Sequence, residues 1–84
     1  MRPLLYFLET INANGKRYLF SFREIAVSKG QKFCMMTYQD HEPVIFEMTS
    51  DQYNNWKVNK PAPQWIVSME SKLIEVVKSK IALH

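Results

Sequence analysis

The chain has 84 residues, 46% of them hydrophobic and 13% aromatic, and carries a net charge of +3. That composition supplies one core in one domain and excludes a disordered tail, while eleven basic residues against eight acidic is a milder bias than a dedicated duplex-DNA binder shows. Cys34 is the single cysteine, so no internal disulfide can form, and a reducing, cytoplasmic setting with the thiol packed as a small hydrophobe is expected.

The opening Met1-Arg2-Pro3-Leu4-Leu5-Tyr6-Phe7-Leu8 has the apolar character of a secretory signal, but Glu9 ends the run and no small-residue cleavage pattern follows. It reads instead as the start of a first strand, about 4–12. No apolar stretch approaches the ~20 residues of a membrane-spanning helix, so a soluble protein that does not enter a membrane is expected.

Three evenly spaced turn signals follow, Asn14-Gly15, Lys29-Gly30 and Asp40-His41, between segments that alternate apolar and polar residues. Each suits a two-residue hairpin, whose primed turns match strand twist. Strands are predicted over about 4–12, 16–27, 32–39 and 42–48. The first turn sets Ile11 opposite Tyr18, Glu9 opposite Phe20 and Phe7 opposite Phe22. The second sets Phe22 opposite Thr37, Glu24 opposite Met35 and Ala26 opposite Phe33. The third sets Thr37 opposite Val44, Met35 opposite Phe46 and Phe33 opposite Met48. The three registers agree, placing Leu5, Phe7, Ile11, Tyr18, Phe20, Phe22, Phe33, Met35, Val44, Phe46 and Met48 on one face with Glu9 and Glu24 as exceptions. The other face carries Tyr6, Leu8, Arg17, Leu19, Ser21, Arg23, Ile25, Lys32, Cys34, Met36, Tyr38, Ile45 and Glu47, which is less polar than a purely solvated face requires.

After the sheet, Thr49 or Ser50 can cap a short helical turn, about 51–57, with Thr49 and Gln52 at capping-box spacing. Asn59-Lys60-Pro61-Ala62-Pro63 forms a stiff connector, and Pro63 suits the first turn of a helix over about 64–83. In that helix Trp65, Ile66, Met69, Leu73, Val76, Val77 and Ile81 share one side, and with Val67 and Ile74 the apolar arc spans roughly 200° against the ~100° that covers a single core. Glu70 and Lys80 interrupt it. The surplus can pack on Tyr53 and Trp56 or on a second copy of the chain. The predicted fold class is therefore α+β: a four-stranded antiparallel β-meander, a short helical turn and one long C-terminal α-helix packed across the Phe-rich face.

Chemistry is sparse. Glu9 and Glu24 project toward one face of neighbouring strands, and paired carboxylates in a semi-apolar setting can raise a pKa for acid catalysis; no nucleophile or cation is identifiable beside them, and partnered carboxylates at the sheet periphery are the plainer reading. His41 in a turn, His84 at the end and the lone Cys34 offer neither metal-ligand spacing nor a nucleophile and base pair. Gly15 and Gly30 are explained as turns rather than as a phosphate loop. No catalytic residue, metal or cofactor is predicted, and the expectation is a non-enzyme.

The second sheet face is the strongest functional candidate. Tyr6 and Tyr38 could stack unpaired bases while Arg17, Arg23 and Lys32 neutralise phosphates. Leu8, Leu19, Ile25, Met36 and Ile45 fit a protein contact at least as well, and long basic stems routinely cover half-exposed strands. Trp56, Trp65, Ile74 and Ile81 are candidates for an interface between copies, set against the commoner role of such aromatics in clamping a connector onto a helix.

Four antiparallel strands, then Thr49-Ser50-Asp51-Gln52-Tyr53-Asn54-Asn55-Trp56, then a C-terminal helix is an order that loosely resembles the single-stranded-DNA-binding transcriptional coactivators. Members of that family dimerise through their helices and present basic and aromatic residues to single strands. The likeness covers element order and those residues alone, with Pro61 and Pro63 standing where that family's helix continues, and a fold-level analogy of this kind does not establish function. Two functions are expected from the residues: a cytoplasmic binding or regulatory protein acting through a protein partner and self-association, or a single-stranded nucleic-acid binder using the basic and aromatic face.

Overall fold

The computed structural model describes residues 2–83; His84, one of the two histidines weighed above, lies outside the described residues. The fold is α+β, an antiparallel sheet of five strands in sequential order followed by two helical segments. Strands β1 (Tyr6–Ala13), β2 (Lys16–Ile25), β3 (Gln31–Gln39) and β4 (Glu42–Ser50) make the expected meander, and β5 (Trp56–Val58) extends it beyond β4. Asn14 and Gly15 have φ of 53° and 77°, and Asp40 and His41 of 50° and 68°, positive at both central positions as type I′ hairpins require. The first and third registers are those predicted, with Phe7 opposite Phe22, Ile11 opposite Tyr18, Met35 opposite Phe46 and Phe33 opposite Met48.

The second register differs. Phe22 lies opposite Met35 rather than Thr37, and Glu24 opposite Phe33 rather than Met35. Strand β2 ends at Ile25, and a loop over 26–30 replaces the two-residue turn at Lys29-Gly30. Gly30 serves a close backbone approach instead of a hairpin, because at φ +68° it passes against the end of β4, where a Cβ would collide with the Ser50 carbonyl oxygen. The register moves by two residues, which is one full side-chain period, so every side chain keeps its expected face.

That face builds the core. Phe20, Phe22, Phe33, Met35 and Met48 are fully buried, and Phe33 is ringed edge-on or tilted by Phe7, Phe22 and Trp56 at centroid distances of 5.9, 6.5 and 5.8 Å. Thr37 also points inward, and its hydroxyl donates to the Leu19 carbonyl at 2.9 Å, which satisfies a buried polar group locally.

Two helical expectations need correction. No helix forms over 51–57. The Asp51 carboxylate accepts the backbone N–H groups of Tyr53 and Asn55 at 2.8 and 3.0 Å and the Asn55 side-chain amide at 3.0 Å, and Asn54 sits at φ 65°. An Asx-type loop thereby captures the donors a helix would use, and the chain leaves it extended as β5, with Ser50 opposite Trp56 and Met48 opposite Val58. The long C-terminal helix is likewise divided into α1 (Gln64–Val67) and α2 (Glu70–Ala82). Ser68 turns its hydroxyl onto the Trp65 carbonyl at 2.8 Å, and the Met69 N–H bonds three residues back to Ile66 at 3.1 Å. This tightened turn keeps Ile66, Met69, Leu73 and Val77 all buried against the sheet.

The two charges that interrupt the apolar arc have structural uses. Glu70 accepts the outward-facing Val58 N–H of β5 at 2.7 Å, and Lys80 reaches Glu9 on β1 at 3.5 Å with its ammonium 5.6 Å from the Phe7 ring centre. Lys72 adds a bond to the Asn12 carbonyl at 3.0 Å. Helix α2 therefore spans the covered face of the sheet and is tied at both of its edges.

Candidate functional site

The face turned away from α2 is open, and alternation along the strands brings all six of its predicted residues there. Tyr6 and Arg23 are opposed across β1 and β2, and the row continues through Cys34 and Glu47. The next row is Leu8, Ser21, Met36 and Ile45; Thr10 and Leu19 follow on β1 and β2, with Tyr38 and Pro43 on β3 and β4. Arg17 stands at one end of the face, opposite Asn12. Lys32 stands at the other, opposite Thr49, which in turn faces Lys57 on β5. The result is an apolar centre with basic side chains toward its ends.

The centre is apolar and exposed. Leu8, Leu19 and Ile45 are 52%, 58% and 63% exposed, and Ser21, Arg23, Cys34, Met36 and Ile45 outline a shallow depression of about 230 Å³. Cys34 is half-buried in this depression rather than enclosed in the core. Much of the positive charge is already committed: the Arg23 guanidinium lies 5.3 Å from the Tyr6 ring centre, and Lys32 pairs with Glu47 at 3.2 Å. Arg17 and Lys57 are exposed, and among the described residues neither enters an ion pair. A helical reading of 51–57 hides Lys57, although Trp56-Lys57-Val58 does alternate apolar and polar as a strand would.

The proposed interface residues lie elsewhere. Trp56 is buried against Phe33, with its indole N–H bonded to Asn54 at 2.7 Å. Trp65 stacks on Tyr18 with centroids 4.7 Å apart, and Ile74 and Ile81 pack against the core. Trp65, Ile74 and Ile81 remain partly exposed, and Tyr53, the other residue expected to receive the apolar arc, stands exposed.

Glu9 and Glu24 share the covered face without forming a pair. Glu9 meets Lys80, whereas Glu24, 5% exposed, is clasped by the Arg2 guanidinium and accepts the Leu5 N–H at 3.1 Å and the Gln31 amide at 3.4 Å. The Arg2 hydrogen bonds, helped by those from Leu5 and Gln31, hold the Glu24 carboxyl below its ordinary range against the opposing effect of burial. A depressed folded-state pKa gives stability that is complete at neutral pH and is lost as pH falls from the unfolded value, about 4.3, through the folded one. Arg2 is 46% exposed, so solvent screening limits the gain, and Arg2→Ala should cost about 1 kcal/mol at pH 7. In urea unfolding at a series of pH values, the difference between wild type and Arg2→Ala should shrink below about pH 4; a constant difference would show that the pair is not what Arg2 contributes.

Among the described residues, no three His, Cys, Asp or Glu side chains converge as a metal site would need, and no helix is long and apolar enough to cross a membrane. Comparison with protein-family models, curated proteins and solved structures finds no significant match.

Proposed function

We propose that this chain is a non-enzymatic protein-contact module whose open sheet face seats an apolar surface on a partner protein, with carboxylates on that partner meeting Arg17 and Lys57. One observation carries the reading: Leu8, Leu19 and Ile45 stand exposed at the centre of the face while Arg23 and Lys32 direct their charge to Tyr6 and Glu47. Apolar contact at the centre with charge at the rim is how stable protein interfaces are built. Exposed strand positions tolerate substitution, so the double variant Leu19→Glu, Ile45→Glu should keep the circular-dichroism spectrum and melting temperature of the wild type. It should bind a partner captured by the wild type at least about 30-fold more weakly, the scale of losing interface anchors. Undiminished binding by the folded double variant would remove this face from consideration.

A second reading is favoured by the stacked Arg23 and Tyr6 together with Tyr38, which is 56% exposed: a platform for unpaired bases. Titration of labelled single-stranded and duplex oligonucleotides at low and moderate salt separates the two. Affinity for single strands that falls with salt, and falls further in Arg17→Glu, would replace the protein-contact reading, because phosphate contacts release counterions.

A further inference from the structure

The two edges of the sheet are finished differently. Just before β1, the Leu5 carbonyl accepts the Glu24 N–H of β2 at 2.9 Å, which fixes the alternation of an antiparallel ladder: Leu5, Phe7, Glu9 and Ile11 direct their backbone groups to β2, and Tyr6, Leu8, Thr10 and Asn12 direct theirs off the edge. At the far edge, Glu70 covers the Val58 N–H. On β1 the Asn12 carbonyl is covered by Lys72, but among the described residues no hydrogen bond reaches the outward backbone groups of Tyr6, Leu8 or Thr10. Beside this edge, β1 and α2 enclose an open groove of about 450 Å³, lined by Thr10, Asn12, Lys72, Val76 and Lys80 among others. An eight-residue edge strand of β-forming sequence left in this state is a template for another strand.

We infer that the β1 edge pairs with β1 of a second copy, antiparallel about a two-fold axis at Leu8, joining the two sheets into one. The free stretch runs from Tyr6 to Thr10 and is stopped by the Lys72 bond at Asn12, so its centre is Leu8. In that register Leu8 meets Leu8, Tyr6 meets Thr10 and Phe7 meets Glu9. The charges agree with this placement. Lys80 lies over Phe7 and beside its own Glu9, so Glu9 of the second copy, arriving opposite Phe7, reaches the same ammonium. Each lysine is then held between two carboxylates, a self-complementary arrangement of the kind an isologous two-fold interface requires. Side chains on the open face, Tyr6 and Leu8, come together at the seam, so the apolar surface of the two copies becomes continuous.

This pairing does not depend on what the open face binds. The test is sedimentation velocity of the full chain across a concentration series, together with amide hydrogen exchange. A dimer is expected, with the Leu8 and Thr10 amides protected at high concentration and exposed on dilution. Leu8→Lys sets two like charges directly opposite one another across the axis and should raise the dimer dissociation constant by about tenfold or more. Ile45→Lys, at least as exposed but on β4, three strands from the seam, should leave it unchanged. A chain that remains monomeric at every concentration overturns the inference and leaves the protein-contact reading standing. A dimer weakened by Ile45→Lys but not by Leu8→Lys, or one without protection at Leu8 and Thr10, also overturns it, since the copies then meet through the open face or the helices.

Discussion

Phe33→Ala should bring the protein close to the limit of folding at physiological temperature. Phe33 has no exposed surface and is the common neighbour of Phe7, Phe22 and Trp56, so it joins β1, β2 and the start of β5 through one ring. Truncation removes the transfer free energy of the ring and leaves a cavity whose aromatic walls are anchored on separate strands and cannot easily close. The expected cost is about 3–5 kcal/mol. A chain of this length has a total stability of roughly 4–13 kcal/mol, and a loss of that size lowers the melting temperature by roughly 15–30 °C. Thermal melts followed by circular dichroism measure it directly. Tyr38→Ala serves as the control, because an exposed residue on the other face should change stability by only about 0.5 kcal/mol. Equal losses in the two variants would mean that the core is not organised around Phe33.

The second large effect is expected at a glycine. Gly15 and Gly30 both have positive φ, 77° and 68°, so alanine at either incurs the left-handed penalty of roughly 1–2 kcal/mol. They differ in surroundings. Nothing lies within 4 Å of a Cβ at Gly15, whereas at Gly30 the Cβ would strike the Ser50 carbonyl oxygen. That oxygen belongs to backbone at the end of β4, where the Ser50 hydroxyl also accepts the Gln31 N–H at 3.1 Å. It cannot rotate away as a side chain would. Gly30→Ala therefore adds displacement of β4 to the conformational penalty and should cost about 3 kcal/mol or more, at least about 1 kcal/mol beyond the cost of Gly15→Ala in urea unfolding. Equal costs would show that the loop moves freely away from β4 and that only the dihedral angle matters.

The comparison of these glycines shows what local sequence conveys. Both resemble hairpin turns, and at Asn14-Gly15 and Asp40-His41 that reading is correct because a type I′ turn is specified by its two central residues. At Lys29-Gly30 the same local pattern serves a long-range approach to Ser50, which no window of neighbouring residues contains. The resulting difference in register leaves the faces intact only because it spans a whole period of two. Trp56 and Lys57 differ from their helical expectation for a similar reason. A capping-box spacing at Thr49 and Gln52 competes with the Asx loop at Asp51, and the strand outcome goes with pairing to β4, where Thr49 lies opposite Lys57 and the Asp51 and Asn59 N–H groups bond across to the Asn55 and Glu47 carbonyls.

Binary alternation, turn chemistry and the wide apolar arc of the last twenty residues are thus sufficient by themselves to determine an antiparallel meander covered by a C-terminal helical region, and to place Tyr6, Arg17, Arg23, Lys32, Met36 and Tyr38 on one face. Only the tertiary structure decided how those residues are used. It pairs Arg23 with Tyr6 and Lys32 with Glu47, buries Trp56 in the core and packs Trp65, Ile74 and Ile81 against it, and covers one sheet edge with Glu70 while, among the described residues, no hydrogen bond reaches the outward backbone of β1 from Tyr6 to Thr10. The physical reason is range: periodicity and turn preference act over a few residues and set which way a side chain points, but a charge is quenched and an edge is capped by groups brought from distant parts of the chain.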